Sequence, residues 1–267
     1  MGITPSEFLI RELRRRRVAA GLTQTALGEL CFCSDTHISS IETGGKAPTL
    51  KHLELVDVAL ETGGYFENLW DELVKDWVDP SWLRDWIEYE RQALYLRWYE
   101  PAFVPGLLQT EEYARATLRT NRLLSPEEVE LRVASRMDRQ SILARKEPPD
   151  LYVILDAAVL RRTVAGDADL MARQLDHLIE RADQPHIQVQ VVPEEVGIYP
   201  GLAGAFILAG MPDGSTVAHV DNQVGADVFE RADYVASLVK AWENIGGETL
   251  PRRQSLELLK EAAQKWK

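Results

Sequence analysis

Apolar residues recur every three or four positions through the first sixty residues, and this spacing predicts a series of short amphipathic helices. The first helix should span Pro5–Ala20, two shorter ones should follow within 21–44, and a fourth should cover Leu50–Leu60. Each helix turns a small apolar face toward a shared core, which predicts a helical bundle. The residues expected to face that core are Phe8, Leu9, Leu13, Val18, Ala26, Leu27, Leu30, Ile38, Ile41, Leu53, Val56 and Leu60.

Capping residues divide the stretch 21–44 into two helices joined by a tight turn. Thr23 and Ser34 are expected N-caps, because their hydroxyl oxygens can accept a hydrogen bond from an amide of the first turn. Gly44, just past the second helix, can take the left-handed conformation that ends a helix. A helix, a turn and a second helix with a polar outer face fit the major groove of DNA. The residues expected on that outer face are Asp35, Thr36, His37, Ser39 and Ser40.

Three short motifs occur in register across this stretch: Gly21–Gln24 reads GLTQ, Ile38–Glu42 reads ISSIE, and Gly45–Pro48 reads GKAP. Together they resemble the helix-turn-helix of XRE-type, phage-repressor-like regulators. The resemblance implies base-reading positions and phosphate-binding positions on double-stranded DNA, and the alternative is a helical hairpin that only packs. The implied base readers are Asp35, Thr36, His37, Ser39 and Ser40, and the implied phosphate contacts are Arg17, Thr23, Gln24 and Lys46.

Beyond residue 64 the pattern of the chain changes. Five of the seven tryptophans lie between Trp70 and Trp98, and the apolar spacing there predicts one long helix over Ser81–Trp98. After Pro148, runs rich in β-branched residues, some with alternating apolar and polar positions, indicate strands. These strands are expected at Leu151–Leu155, Ile187–Val192, Ala205–Leu208 and Thr216–Val220, with helices at Met171–Ala182, Val235–Ile245 and Ser255–Lys265.

These elements predict a fold that is mainly α plus α+β. An N-terminal helix-turn-helix domain should cover 1–64, and a C-terminal sensing or interaction domain should cover 65–267. Within the second domain, 65–147 should be helical and 148–267 should be α+β, with a mixed or antiparallel sheet.

A second set of motifs occurs after residue 100. The motifs are Val104–Thr110, Tyr113–Ala116, Arg136–Gln140, Gln174–Leu178, Val192-Pro193 and Gly204–Phe206. Together they resemble the conserved C-terminal domain of the actinobacterial XRE regulators that include the WhiJ group. That resemblance implies a transcriptional regulator, often encoded beside a small partner protein and sometimes described as antitoxin-like. The family usually has an acidic residue where this chain has Ala157, which puts a role for the neighbouring Asp156 in doubt.

The net charge of −12 lies entirely after residue 60, because residues 1–60 contain seven basic and seven acidic side chains. DNA affinity depends on local basic groups, and Arg14–Arg17 place four such charges on the first helix. One helix-turn-helix reads only a few base pairs, so we expect a homodimer held by residues after Gly64.

Two cysteines, Cys31 and Cys33, cannot supply a disulfide framework, and a reducing compartment is the natural interpretation. A zinc site needs about four ligands, and His37 is the other candidate nearby in the sequence. Reduced thiols are therefore predicted, with metal binding or redox sensing as the alternative.

Sequence motifs for catalysis are missing: the chain has no glycine-rich phosphate loop, no HExxH and no GxSxG. His219 and Asp221 alternate on a predicted strand, and a structural pair is expected there rather than a catalytic dyad. No catalytic residue, cofactor or metal is predicted, and no enzyme.

No apolar run approaches the ~18 residues that span a bilayer, and the N-terminus lacks a signal-peptide core, so a soluble cytoplasmic protein without a membrane partner is expected. Two functions remain: a sequence-specific DNA-binding regulator that senses a partner protein or ligand, and an antitoxin-like interaction module with secondary autoregulation.

Overall fold

The computed structural model describes residues 5–44, 48–70, 81–120, 124–164, 166–222 and 225–267. Two compact units make up the chain. The first combines Met1–Ser81 with Leu118–Asp138, and the second combines Trp82–Thr117 with Arg139–Lys267. Each unit is therefore assembled from two separate stretches of sequence.

Helices occur in both units, and the strands belong to the second. In chain order, the helices of the described residues are α1 (Pro5–Ala19), α2 (Gln24–Leu30), α3 (Asp35–Glu42), α4 (Leu50–Ala59), α5 (Tyr65–Leu69), α6 (Ser81–Gln92), α7 (Glu111–Arg119), α8 (Pro126–Arg139), α9 (Ala168–Ala182), α10 (Ala232–Gly246) and α11 (Arg252–Lys265). The strands are β1 (Tyr95–Glu100), β2 (Asp150–Asp156), β3 (Ile187–Val192), β4 (Phe206–Gly210), β5 (Thr216–Asn222) and β6 (Gly225–Phe229).

The core of the first unit is built from one buried stripe on each short helix. Most of the predicted positions lie in it, but Val18 and Leu30 do not, since they are 60% and 49% exposed. Arg17 follows Leu13 by four residues and takes the inner position of the last turn of α1, while Cys31 follows Leu27 in the same way. The buried residues of this core are Leu9, Leu13, Leu27, Cys31, Ile38, Ile41, Leu53, Val56, Phe66, Leu69 and Leu131.

A mixed sheet organises the second unit. Among the described residues it has six strands in the order β3-β2-β1-β4-β5-β6. Strands β1, β2 and β3 run parallel to one another, and the pairs β1–β4, β4–β5 and β5–β6 are antiparallel. Tyr95 of β1 lies opposite Asp150 on one side and Gly210 on the other. The strand nearest the N-terminus therefore lies inside the sheet.

Both faces of this sheet are buried. Leu96 and Trp98 of β1 belong to a core that also contains Leu175 of α9 and Leu259 of α11. Tyr99 points to the opposite face, where a smaller core includes residues of α10. This alternation is the ordinary consequence of strand geometry. The unit thus has helices on both sides of a central sheet.

The predicted fold class is confirmed: N-terminal helices with a helix-turn-helix are followed by an α+β region with a mixed sheet. The long helix predicted over Ser81–Trp98 is wrong in its last third, because α6 ends at Gln92 and Tyr95–Glu100 is β1. Aromatic residues favour a half-buried pleated surface, and two strand partners override the helical spacing here. The strand Gly225–Phe229 was not predicted.

None of the described helices is both long enough and apolar enough to cross a bilayer.

Candidate nucleic-acid interface

The two motif helices begin at the predicted caps. The hydroxyl oxygen of Thr23 accepts a hydrogen bond from the amide of Ala26 at 3.0 Å, and that of Ser34 accepts one from the amide of His37 at 3.1 Å. These bonds satisfy amides that have no acceptor within the first turn of a helix. Both capping predictions are confirmed, and the caps set where α3 begins.

A close backbone approach fixes the turn between α2 and α3. The amide of Cys33 donates to the carbonyl of Gly28 at 2.8 Å. A Cβ atom placed on Gly28 would lie 2.8 Å from the carbonyl oxygen of Cys33, closer than real Cβ contacts come. Phe32, which is 89% exposed, adopts a φ of 55° in this turn. Gly28 is therefore required for the helices to approach each other, and no spacing or motif in the sequence indicates this role.

The outer side of α3 carries the predicted base-reading residues. Ile38 and Ile41 are fully buried, so the polar positions between them turn away from the core. Asp35 and Thr36 are exposed, and the amide of Thr36 donates to the Asp35 carboxylate at 2.7 Å. His37 lies at the margin of this face. The structure thus places five polar side chains side by side on one helix, and the three that are only partly exposed are His37, Ser39 and Ser40.

Arg17 occupies a different environment from the one that the sequence implied. Its Nε donates to Glu42 Oε1 at 2.5 Å and its Nη2 to Oε2 at 2.9 Å, while Nη1 donates to the carbonyl of Leu22 at 2.6 Å. The two side chains are 10% and 2% exposed. These bonds use three of the five N–H donors of the guanidinium, and the ion pair with Glu42 ties α1 to α3.

Glu42 is the centre of a small polar network. Gln24, at the start of α2, donates its Nε2 to Glu42 Oε2 at 2.8 Å. Burial alone would raise the pKa of Glu42, but the hydrogen bonds from Arg17 and Gln24 outweigh it and hold the pKa below its ordinary value. The bond to Glu42 also raises the pKa of Arg17. The network therefore stays charged and joins three helices.

Of the other three predicted phosphate contacts, the structure describes Thr23 and Gln24. Thr23 is exposed, and its hydroxyl proton is not used by the capping bond. Gln24 keeps one amide hydrogen beyond the one donated to Glu42. Lys46 lies outside the described residues. Thr23 and Gln24 thus lie together at the N-terminus of α2, where helix amides favour anions.

A group of possible metal ligands lies beside the turn. Cys33, His37 and His52 each offer one ligand atom, and these atoms all lie within 4.8 Å of one another. The rings of His37 and His52 meet edge to face, with centroids 5.1 Å apart. His52 comes fifteen positions after His37, on a different helix. No motif in the sequence indicates that it lies beside Cys33 and His37.

Side-chain amides hold together the motifs of the second unit. Gln174, which is fully buried, accepts from the amide of Thr110 and donates to the carbonyl of Leu108, both at 2.8 Å. Gln140 donates to two further carbonyls of the same segment, at 2.8 and 3.0 Å. The Val104–Thr110 motif is thereby clamped by glutamines of two other motifs. These glutamines have a structural role that spacing alone could not indicate.

The pair His219 and Asp221 does not form a hydrogen-bonded dyad, because His219 Nε2 and Asp221 Oδ1 are 3.8 Å apart. His219 is 3% exposed and lies against Trp86, with ring centroids 4.9 Å apart. Burial, and then the charge of Arg139, lower the pKa of His219 to about 4. The imidazole is therefore neutral near pH 7 and a weak base.

Asp156, whose role the sequence left in doubt, takes part in a buried network. Its Oδ1 accepts from the amide of Ala158 at 2.7 Å, and its Oδ2 accepts from the hydroxyl of Tyr199 at 2.7 Å. The hydroxyls of Tyr199 and Tyr99 are 2.8 Å apart. The carboxylate thus ends β2 by capping the turn that follows it.

Two known families match the chain, over residues 9–65 and 83–261. The helix-turn-helix domain family matches residues 9–65, which supports an XRE-like helix-turn-helix regulator and suggests DNA binding. The family described as a domain of unknown function, DUF5753, matches residues 83–261, more than half of the chain. No curated protein and no solved structure matches. The chain therefore belongs to the DUF5753 family and carries a helix-turn-helix domain ahead of that domain.

Proposed function

We propose that the protein is a sequence-specific DNA-binding transcriptional regulator that reads DNA with α3. The observation that carries this proposal is the outer face of α3. Five polar side chains lie in its first two turns, directly after the N-cap Ser34. Ile38 and Ile41 anchor the opposite face in the core. A helix held in this way can enter a major groove with its first turn foremost.

Each side chain on this face has a chemical role to offer. Asp35 can accept a hydrogen bond from cytosine N4, and the methyl group of Thr36 can contact that of thymine. We assign base reading to Asp35, Thr36, His37, Ser39 and Ser40 together. Phosphate contacts then fall to Thr23, Gln24 and Lys46, which would fix the register without reading sequence. Arg17 is left out of this set because its side chain is only 10% exposed and is paired with Glu42.

A selection of binding sites from random DNA tests the proposal. The full chain should select one preferred motif, and combined alanine replacement of Asp35, Thr36, His37 and Ser40 should change or abolish that preference, with about 1–3 kcal/mol lost per base contact. Glu54→Ala, at an exposed position of α4, is the matched control and should keep the motif. An unchanged motif in the combined variant would refute the assignment.

We further infer that the regulator acts as a homodimer through residues after Gly64. Two copies would double the base pairs read and would require half-sites about 34 Å apart or a multiple of that spacing. The mass of the full chain, measured by light scattering, should correspond to two copies. A monomer in solution that also binds its selected site as one molecule would contradict the inference.

The same proposal makes the DUF5753 domain a binding domain rather than a catalytic one. The neutral, buried His219 and the structural roles of Asp156 and Gln174 are consistent with that assignment. The resemblance to actinobacterial regulators of the WhiJ group suggests a small partner protein or ligand as what it binds.

A further inference from the structure

We propose that Cys33, His37 and His52 form a binding site for a zinc-like divalent metal ion, located at the turn between the two motif helices. Their ligand atoms, one sulfur and two imidazole nitrogens, all lie within 4.8 Å of one another. Two of the three residues are partly exposed and His52 is buried, so an ion can reach the site from one side.

Backbone hydrogen bonds place the three ligands before any metal arrives. The amide of Cys33 is held by the carbonyl of Gly28 at 2.8 Å. The amides of His37 and His52 donate to the capping hydroxyls of α3 and α4, at 3.1 and 3.2 Å. Each ligand thus sits at a fixed point of the backbone, and only its side-chain torsions remain to be set. Such preorganisation lowers the cost of binding.

The spacing of the ligand atoms suits a small tetrahedral ion. With bonds of about 2.0–2.3 Å to nitrogen and sulfur, two ligands of a tetrahedral zinc ion lie roughly 3.3–3.8 Å apart. The ligand atoms, which lie within 4.8 Å of one another, must therefore move closer together when the ion binds. Rotation of the side chains of Cys33 and His37, which are only partly buried, can bring them closer. One sulfur and two nitrogens leave a fourth position for water, as in zinc sites with three protein ligands.

The donor set also selects the kind of ion. Thiolate and imidazole favour zinc and its close relatives, whereas magnesium and calcium prefer oxygen ligands. An edge-to-face contact of His37 and His52 would by itself be ordinary packing. The sulfur of Cys33 at the same point turns that contact into a ligand set. On binding, the Cys33 thiol loses its proton to solvent as the metal–sulfur bond forms.

The two neighbouring cysteines are clearly distinguished. Cys31 is 2% exposed and belongs to the apolar core of the first unit. Cys33 is partly exposed and lies at the edge of the same core. This contrast supplies a matched control within one sequence.

Metal binding has a consequence for DNA that rests on the proposed function. If His37 reads a base, an ion on one nitrogen of its imidazole leaves only the other nitrogen for that contact, and metal occupancy would alter the site preference. The site itself needs no DNA, so its test is independent of the regulator assignment.

Cobalt(II) titration of the reduced full chain, stripped with a chelator, tests the site. The wild-type chain should bind one Co²⁺ with the visible bands of a tetrahedral ion and a thiolate-to-cobalt charge-transfer band, and Zn²⁺ should remove both. Cys33→Ser should lose the charge-transfer band, and His37→Ala and His52→Gln should each bind about tenfold or more weakly. Cys31→Ala and His186→Ala should keep the wild-type spectrum.

Circular dichroism confirms that each variant is folded, and X-ray absorption on the zinc-loaded wild-type chain gives a readout that needs no variant. One sulfur and two imidazole nitrogens at the metal would support the site. Cobalt spectra without a thiolate band, or a band that persists in Cys33→Ser and disappears in Cys31→Ala, would overturn it.

Discussion

Replacing Glu42 with alanine should lower the free energy of unfolding of the first unit by about 3–5 kcal/mol. The substitution leaves the guanidinium of Arg17 buried without its counter-charge, because that side chain is only 10% exposed. It also removes the acceptor of Gln24. Since small domains are stable by about 5–15 kcal/mol, the loss is a large share of the total.

Urea denaturation followed by far-ultraviolet circular dichroism measures this loss. Glu29→Ala, at an exposed position of α2, is the control and should change the free energy by less than about 0.5 kcal/mol. Replacing both partners with apolar residues, as Arg17→Met with Glu42→Leu, should recover most of the loss, because no charge is then left buried. A cost below about 1 kcal/mol for Glu42→Ala would show that the pair contributes little.

The same network makes the first unit sensitive to acid. The pKa of Glu42 is lower in the folded chain than its ordinary value of 4.5. Its contribution to stability is therefore complete above that ordinary value and is lost as the pH falls through the lower folded pKa. Stability measured from neutral to acid pH should fall less steeply in Glu42→Gln than in the wild-type chain. Equal slopes would contradict this contribution.

Replacing Gln174 with alanine should lower the free energy of unfolding of the second unit by about 2–4 kcal/mol. The side chain is fully buried and bonds both the amide of Thr110 and the carbonyl of Leu108 at 2.8 Å. Alanine leaves these two backbone groups without their partner and opens a cavity beside them. Urea denaturation followed by tryptophan fluorescence gives the magnitude.

Gln92 offers a matched control for this experiment. Its side chain is exposed, and its Nε2 donates to Glu88 within one helix at 2.6 Å. Gln92→Ala should change the free energy by less than about 0.5 kcal/mol. If Gln174→Ala were as mild as this control, the glutamine clamp would have no part in stability.

The helix-turn-helix could be predicted because its determinants are local. Thr23 and Ser34 act on amides three residues ahead, and the separation of Ile38 and Ile41 sets which side of α3 faces outward.

Contacts between distant positions could not be predicted. The spacing from Leu13 turns Arg17 toward the core, but the sequence does not indicate that Glu42, 25 residues further on, supplies the counter-charge that holds it there. The helix–strand switch after Gln92 has the same origin, because β1 depends on strand partners at Asp150 and Gly210. His52 joins Cys33 and His37 only through the packing of α4.

The interleaving of the two units imposes an order on folding during synthesis. Leu131 completes the helical core, so a nascent chain cannot close that core until the ribosome has released α8. Strand β1 emerges before α8 but pairs with β2 and β4, and its second partner is complete only after Gly210 has left the exit tunnel. The segment Tyr95–Glu100, which contains three aromatic residues, is thus synthesised well before both of its partner strands. General chaperones should therefore bind nascent chains that are stalled after Glu100 and before Gly210 has emerged. Full-length chains should be released from the chaperones.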